Sequence, residues 1–150
     1  MVTKKFRKKG QGSVEYLSIV GIALMILIPA TILFTNYTRS ANEEVLANQL
    51  NMIGQRILNK AEEMYVVGAD SWSTIEATFP ESFESATLYD GKDLVFKYGT
   101  SGGYSQVVFF VDRFTISNGT CNTNCTFDFT TGVNRIRIEL IDSKIELRRI

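Results

Sequence analysis

The chain has 150 residues, 45% of them hydrophobic and 21% charged, which allows one domain plus an anchor. Its 16 basic and 16 acidic residues balance, but five of the basic ones (Lys4, Lys5, Arg7, Lys8 and Lys9) cluster at the N-terminus, leaving 11 basic against 16 acidic residues beyond residue 10. That balance argues against a nucleic-acid partner, which needs a basic stripe; the absence of histidine excludes histidine acid–base catalysis and histidine metal sites.

The basic cluster stops at Gly10. Small or polar residues, one carboxylate (Glu15) and a membrane-length apolar run follow. An ordinary secretory signal is cut after its apolar region, beside small residues. Here the processing point that fits, between Gly10 and Gln11, precedes the apolar region. Cutting there discards the charges and keeps the apolar segment as the new N-terminus. Residues 16–34 carry no charge and are interrupted only by Ser18, Gly21, Pro29 and Thr31. About 20 apolar residues cross a bilayer as a helix, so this stretch is just long enough. The basic cluster should stay on the cytoplasmic side, with the rest of the chain facing outward. Pro29 removes one helical N–H and crowds the carbonyl four residues back. It reads either as a passive kink or as a point where the helix stretches on leaving lipid.

Lys9-Gly10, then Gln11, Ser13 and Glu15 in a Q-x-S-x-E pattern, then Tyr16-Leu17 and the apolar run together resemble the class III signal peptide of type IV pilin-like proteins, in detail the archaeal pilins. The resemblance covers roughly the first quarter of the chain. It implies a precursor cut between Gly10 and Gln11 by a prepilin peptidase. In the family, the glutamate at the position of Glu15 pairs with the N-terminal amine of a neighbouring subunit and selects the register of assembly. Unlike charges attract strongly in low dielectric, and removing one partner strands the other. The other reading of Glu15 is a carboxylate held among lipid headgroups. If Gln11 cyclises to a neutral lactam, Glu15 instead has to be protonated or accept a neutral hydrogen bond.

Beyond residue 35 the pattern turns amphipathic with no helix breaker. Leu46, Leu50, Ile53, Ile57, Ala61 and Met64 form one apolar stripe at helical spacing, and Gly68 supplies a C-terminal stop. The stripe reads as the face that packs on the domain that follows. A helix over residues 11–67 is roughly 85 Å long, half membrane segment and half domain spine, which also suits a pilin subunit.

After Gly68 the period changes to two. Residues 72–79 alternate, with Ile75, Ala77 and Phe79 on one face, and Pro80 ends them. Residues 85–89 and 93–98 flank Asp90-Gly91-Lys92, a hairpin signal. Residues 104–112, with Val107-Val108-Phe109-Phe110-Val111, read as a central buried strand; residues 114–117 continue or restart it. Residues 118–126 read as a polar loop and 127–129 as a short strand. Residues 134–141 alternate with Ile136, Ile138 and Leu140 on one face, and 144–150 alternate again. Six to eight mostly antiparallel strands, with no βαβ signature, predict an α+β fold. A long N-terminal helix packs on a mostly antiparallel sheet or small β-sandwich. The organisation is a leader at 1–10, an apolar helix at 11–35, its amphipathic continuation at 36–68 and an extracellular β domain at 69–150.

Cys121 and Cys125 are the two cysteines, spaced C-x3-C in the polar loop. A metal site needs more ligands, and a redox centre favours C-x-x-C near a βαβ unit. They read as a loop-stapling disulfide in an oxidising setting. Asn36, Asn118 and Asn124 head N-x-S/T tripeptides, possible N-glycosylation positions; Asn118 and Asn124 share the cysteine loop, and a glycan at Asn36 fits only between subunits. There is no nucleophile elbow, P-loop or glycine-rich dinucleotide turn. Asp90, Asp93 and Asp128 read as turn and surface residues, and Phe96, Tyr98, Tyr104, Phe109 and Phe110 as core and sheet surface.

These readings lead to a non-enzymatic structural subunit without cofactor or metal. The resemblance implies a membrane-held precursor that an assembly ATPase and membrane platform add to an extracellular helical homopolymer, for adhesion or surface attachment. The alternatives are a minor pilin or pseudopilin of a secretion or uptake machine, and a single-pass anchored extracellular binding module.

Overall fold

The computed structural model describes residues 11–68, 70–119 and 124–150, without the side chains of 11–13. One helix, α1 (Gln11–Val67), runs unbroken through Pro29. It stops where Gly68 turns to φ +101°, a conformation open to glycine because it has no Cβ. The Gly68 N–H still donates to the Met64 carbonyl at 3.2 Å. The Ser71 hydroxyl donates to the same carbonyl at 2.9 Å, so the helix end is capped from within the turn.

The chain divides into two compact units, the first ending at Ala41 and the second Asn42–Ile150. The described part of the first is helix alone. The second contains the remainder of α1 and, among the described residues, eight strands: β1 (Trp72–Phe79), β2 (Phe83–Tyr89), β3 (Asp93–Thr100), β4 (Gly103–Phe110), β5 (Thr115–Ser117), β6 (Cys125–Phe127), β7 (Gly132–Ile141) and β8 (Lys144–Arg149). They form two four-stranded sheets, ordered β1-β7-β8-β5 and β4-β3-β2-β6. Every pairing is antiparallel except β5 with β8. The fold is therefore α+β, a long N-terminal helix packed on two mostly antiparallel four-stranded sheets.

The turns follow from local chemistry. Asp90 and Gly91 both take positive φ between β2 and β3, and the Lys92 N–H closes the turn on the Tyr89 carbonyl at 3.0 Å. Two central residues with positive φ make the tight turn that matches strand twist. The tip is pinned to the β4–β5 connection and to β5, where Val111 and Ile116 respectively donate to the Lys92 and Gly91 carbonyls at 2.9 and 2.8 Å.

Phenylalanines join the sheets. Phe79 of β1 packs on Phe83 of β2 (ring centroids 4.4 Å apart) and edge-on against Phe96 of β3. Phe96 meets Phe109 of β4 edge-on, while Phe129 stacks on Phe79 and Phe127. Each such ring, fully buried, contributes about 1.5–3 kcal/mol, and the edge-on and offset geometries suit the ring quadrupoles. The apolar stripe of α1 seats on this core. Leu50, Ile57, Ala61 and Met64 are buried, with Leu46 and Ile53 partly so. The helix lies between two sheet edges: the Phe109 ring of β4 abuts Gly54, and Arg56 Nη1 donates to the Glu76 carbonyl of β1 at 3.5 Å.

The structure corrects several expectations. β4 is an edge strand, not a central one. Of its aromatic and branched residues only Phe109 is buried, and Phe110 is 72% exposed. The apolar run 107–111 reflects a strand whose inner face meets α1 and whose outer face stays open. β6 begins at Cys125, so the polar loop ends earlier than residue 126 and residue 127 closes the strand instead of opening it. Cys125 and Phe127 alternate inward there, which is what pairing with β2 demands. β2 starts at Phe83, because the Pro80 carbonyl accepts from the Phe83 N–H at 3.0 Å and returns the chain at once. The aromatic set is, as expected, part core and part sheet surface: Phe96, Tyr98 and Phe109 are buried, Tyr104 and Phe110 exposed.

Candidate functional site

Among the described residues, the exposed apolar feature is the first part of α1. Ile19, Ile22, Met25, Ile26, Leu33 and Phe34 are all more than half exposed, and apolar side chains surround the helix on every side through residue 34. A soluble monomer rarely exposes a contiguous apolar patch above a few hundred Å², and a helix that is apolar all round belongs in lipid or in protein. α1 is long and apolar enough to cross a membrane.

Its polar atoms do not spoil that property. The hydroxyls of Ser18 and Thr31 donate to the Val14 and Leu27 carbonyls at 2.9 and 2.8 Å. Thr35 and Thr38 donate to the Ile32 and Phe34 carbonyls, each at 2.9 Å. Each hydroxyl is satisfied by its own helix, which an apolar surrounding requires. Pro29 lies within this stretch and the helix continues through it, with the Met25 carbonyl losing its usual donor.

Glu15 is the carboxylate at the edge of the apolar stretch, exposed on α1, and its side chain makes no ion pair or hydrogen bond with a described residue. Gln11 and Ser13 lie on α1, at the start of the described residues. Lys9 and Gly10 lie outside the described residues, as does Cys121. Cys125 is disulfide-bonded and 3% exposed on β6. Asn36 is exposed on α1 and Asn124 is exposed just before β6. Asn118 is half-buried, and its Nδ2 donates to the Thr126 carbonyl at 3.5 Å, tying the end of β5 to β6. The three sequons thus fall on two separate parts of the chain.

In the β domain the surface is closed by paired charges. Arg135 Nε meets Glu76 Oε1 at 2.8 Å across β1 and β7, Lys97 Nζ meets Glu84 Oε2 at 3.1 Å, and Arg113 pairs with Glu62 of α1. Exposed pairs of this kind contribute little stability. Among the described residues no group of three or more His, Cys, Asp or Glu side chains is arranged to hold a metal ion. Asp90 sits in a hairpin turn at φ 50°, and the Asp128 carbonyl accepts from Arg149 at 3.2 Å. Open grooves lie beside α1. One, of about 490 Å³, runs between Met52, Ile53 and Arg56 of the helix and Thr78, Phe79 and Pro80 at the end of β1.

Two buried features of the site's scaffold were not singled out from the sequence. Gly54 sits in the apolar face of α1 because a Cβ there would lie 2.1 Å from the Phe109 ring. Asn134 is 1% exposed. Its Oδ1 accepts from the Thr130 N–H at 3.0 Å and its Nδ2 donates to the Thr130 and Gly132 carbonyls, closing the turn into β7. Their signals were a glycine at a stripe-compatible position in a helix and an amide in register with Ile136 and Ile138.

Comparison with protein-family models, with curated proteins and with solved structures finds no match.

Proposed function

We propose that the protein is the structural subunit of an archaeal type IV pilus-like filament, serving adhesion or surface attachment. The observation that carries this reading is the coincidence at one end of α1 of a basic leader ending in Lys9-Gly10, the Gln11-x-Ser13-x-Glu15 pattern, and a helix that is apolar on all sides and exposed among the described residues. A prepilin peptidase cuts between Gly10 and Gln11. The apolar half of α1 holds the processed subunit in the membrane until an assembly ATPase and its membrane platform move it into the filament. There the helices bury one another, and the β domains face outward. Once out of the membrane, the apolar stretch of each helix is kept from water by packing against its copies. Head-to-tail contacts that do not close on themselves give a helical polymer. Glu15 pairs with the amine of Gln11 in a neighbouring copy and sets the register. The proposed role involves no catalysis and no cofactor.

The test is electron microscopy of cells labelled with antibody against the β domain. The expected result is label along surface filaments, lost together with the filaments on deletion of the gene. Label confined to the cell envelope, with no filament, would contradict the proposal and favour an anchored binding module.

A further inference from the structure

Within the second unit, α1 is held unevenly. Leu50 is its first fully buried residue. Ahead of it, in residues 42–49, only Leu46 and Ala47 pack partly on the core. One polar tie supplements them. Oε1 of Glu43 accepts two hydrogen bonds from Ser101, one from the backbone N–H at 3.1 Å and a short one from the hydroxyl. Ser101 stands at the tip of the β3–β4 hairpin. A Cβ built at its neighbours Gly102 or Gly103 would meet no atom within 4 Å, so the tip has little packing of its own. The seat of α1 at this end therefore consists of two partly covered side chains and one carboxylate gripping one serine.

We propose that Glu43 and Ser101 form a releasable clasp that decides whether residues 42–49 of α1 stay seated on the β domain or join the free stretch of the helix. Closed, the clasp fixes the hairpin tip and the first two turns of the seated helix together. Open, it leaves the packed seat to begin at Leu50, and about 12 Å of helix becomes free. The Ser101 donors also hold the Glu43 carboxyl below its ordinary value, as expected where hydrogen bonds favour the charged form. The clasp is independent of filament formation, because both partners lie within the second unit.

The experiment is hydrogen exchange by mass spectrometry on the full chain in lipid nanodiscs. Glu43→Ala and Ser101→Ala are compared with wild type, with Glu44→Ala as a control one position along and Glu43→Gln as the conservative variant. Alanine is the best helix former, so faster exchange in Glu43→Ala does not come from a poorer helix. The clasp predicts that residues 42–49 and 100–103 exchange about tenfold faster in Glu43→Ala, as for loss of a hydrogen-bonded tie. Residues 50–64 keep their protection, Ser101→Ala moves the same peptides, and Glu44→Ala moves none. Glu43→Gln, which keeps an acceptor oxygen, restores part of the protection. Unchanged exchange at 42–49 in both Glu43→Ala and Ser101→Ala would overturn the clasp. So would equal acceleration at 50–64, since the effect would then be a general loss of stability.

Discussion

At the residue scale, two polar contacts matter most, one buried and one at the surface. Asn134 is buried with Thr130 as its main partner. Asn134→Ala leaves the Thr130 groups without it, a loss of about 1–3 kcal/mol, to be read as a lower urea midpoint at unchanged slope; an unchanged midpoint would refute this role. Glu43 adds a pH dependence. Its carboxyl is held below the ordinary value of 4.5 by the hydroxyl and N–H of Ser101. A depressed folded value means that its stabilising contribution is complete above the unfolded value and is lost as pH falls through the lower folded one. The nearest charges along the chain are Arg39 and Glu44 on α1 and Lys97 on β3, the last paired with Glu84. Protection factors of residues 42–49 should therefore fall on acidification below 4.5 in the wild type and stay low and flat in Glu43→Ala. A flat wild-type profile would contradict the assignment. Neither residue was legible in the sequence. Glu43 is one of many helix carboxylates until the fold brings Ser101 to it from 58 positions away, and Asn134 looks like a strand-start polar residue until its turn is built.

At the scale of elements, the period of the apolar residues did most of the work. The α1 stripe and the inward faces of β1 and β7 follow from spacings of 3.6 and 2, because burial on one face is all that such spacings encode. What spacing cannot encode is a strand's neighbours. β4 has the longest unbroken apolar run of the described strands, Val107 to Phe110, and still lies at an edge, because α1 covers its inner side, with Phe109 over Gly54. The parallel β5–β8 pair is likewise a matter of topology. The contact makes a prediction. Gly54→Ala gains about 1 kcal/mol of helix propensity but places a methyl 2.1 Å from the Phe109 ring. Overpacking typically costs about 1–3 kcal/mol, so the net effect should be destabilising in chemical unfolding. Phe109→Leu added to Gly54→Ala should recover part of the loss, since contacting residues are not additive. A Gly54→Ala protein as stable as wild type would show that the helix does not sit this close to β4.

At the scale of the whole molecule, a processed N-terminus, an apolar helix and an outward β domain make up the proposed assembling subunit. Glu15 is its most exposed commitment. Glu15→Ala removes the proposed partner of the Gln11 amine and strands that charge at a cost of several kcal/mol in a low-dielectric contact. The variant should be cut and held in the membrane at normal levels, yet yield few or no filaments in the sheared fraction. Normal filament yield would place Glu15 among lipid headgroups instead.

The proposed filament subunit requires that the leader be removed and that the apolar helix become the new N-terminus. Mass spectrometry of the mature N-terminus, on material sheared from the cell surface and separately on membranes, tests it most directly. The account predicts a chain beginning at Gln11, as the free amine or the cyclised lactam, enriched in the sheared material. A chain still beginning at Met1 or Val2 and confined to the membrane would contradict it and leave an anchored extracellular β domain.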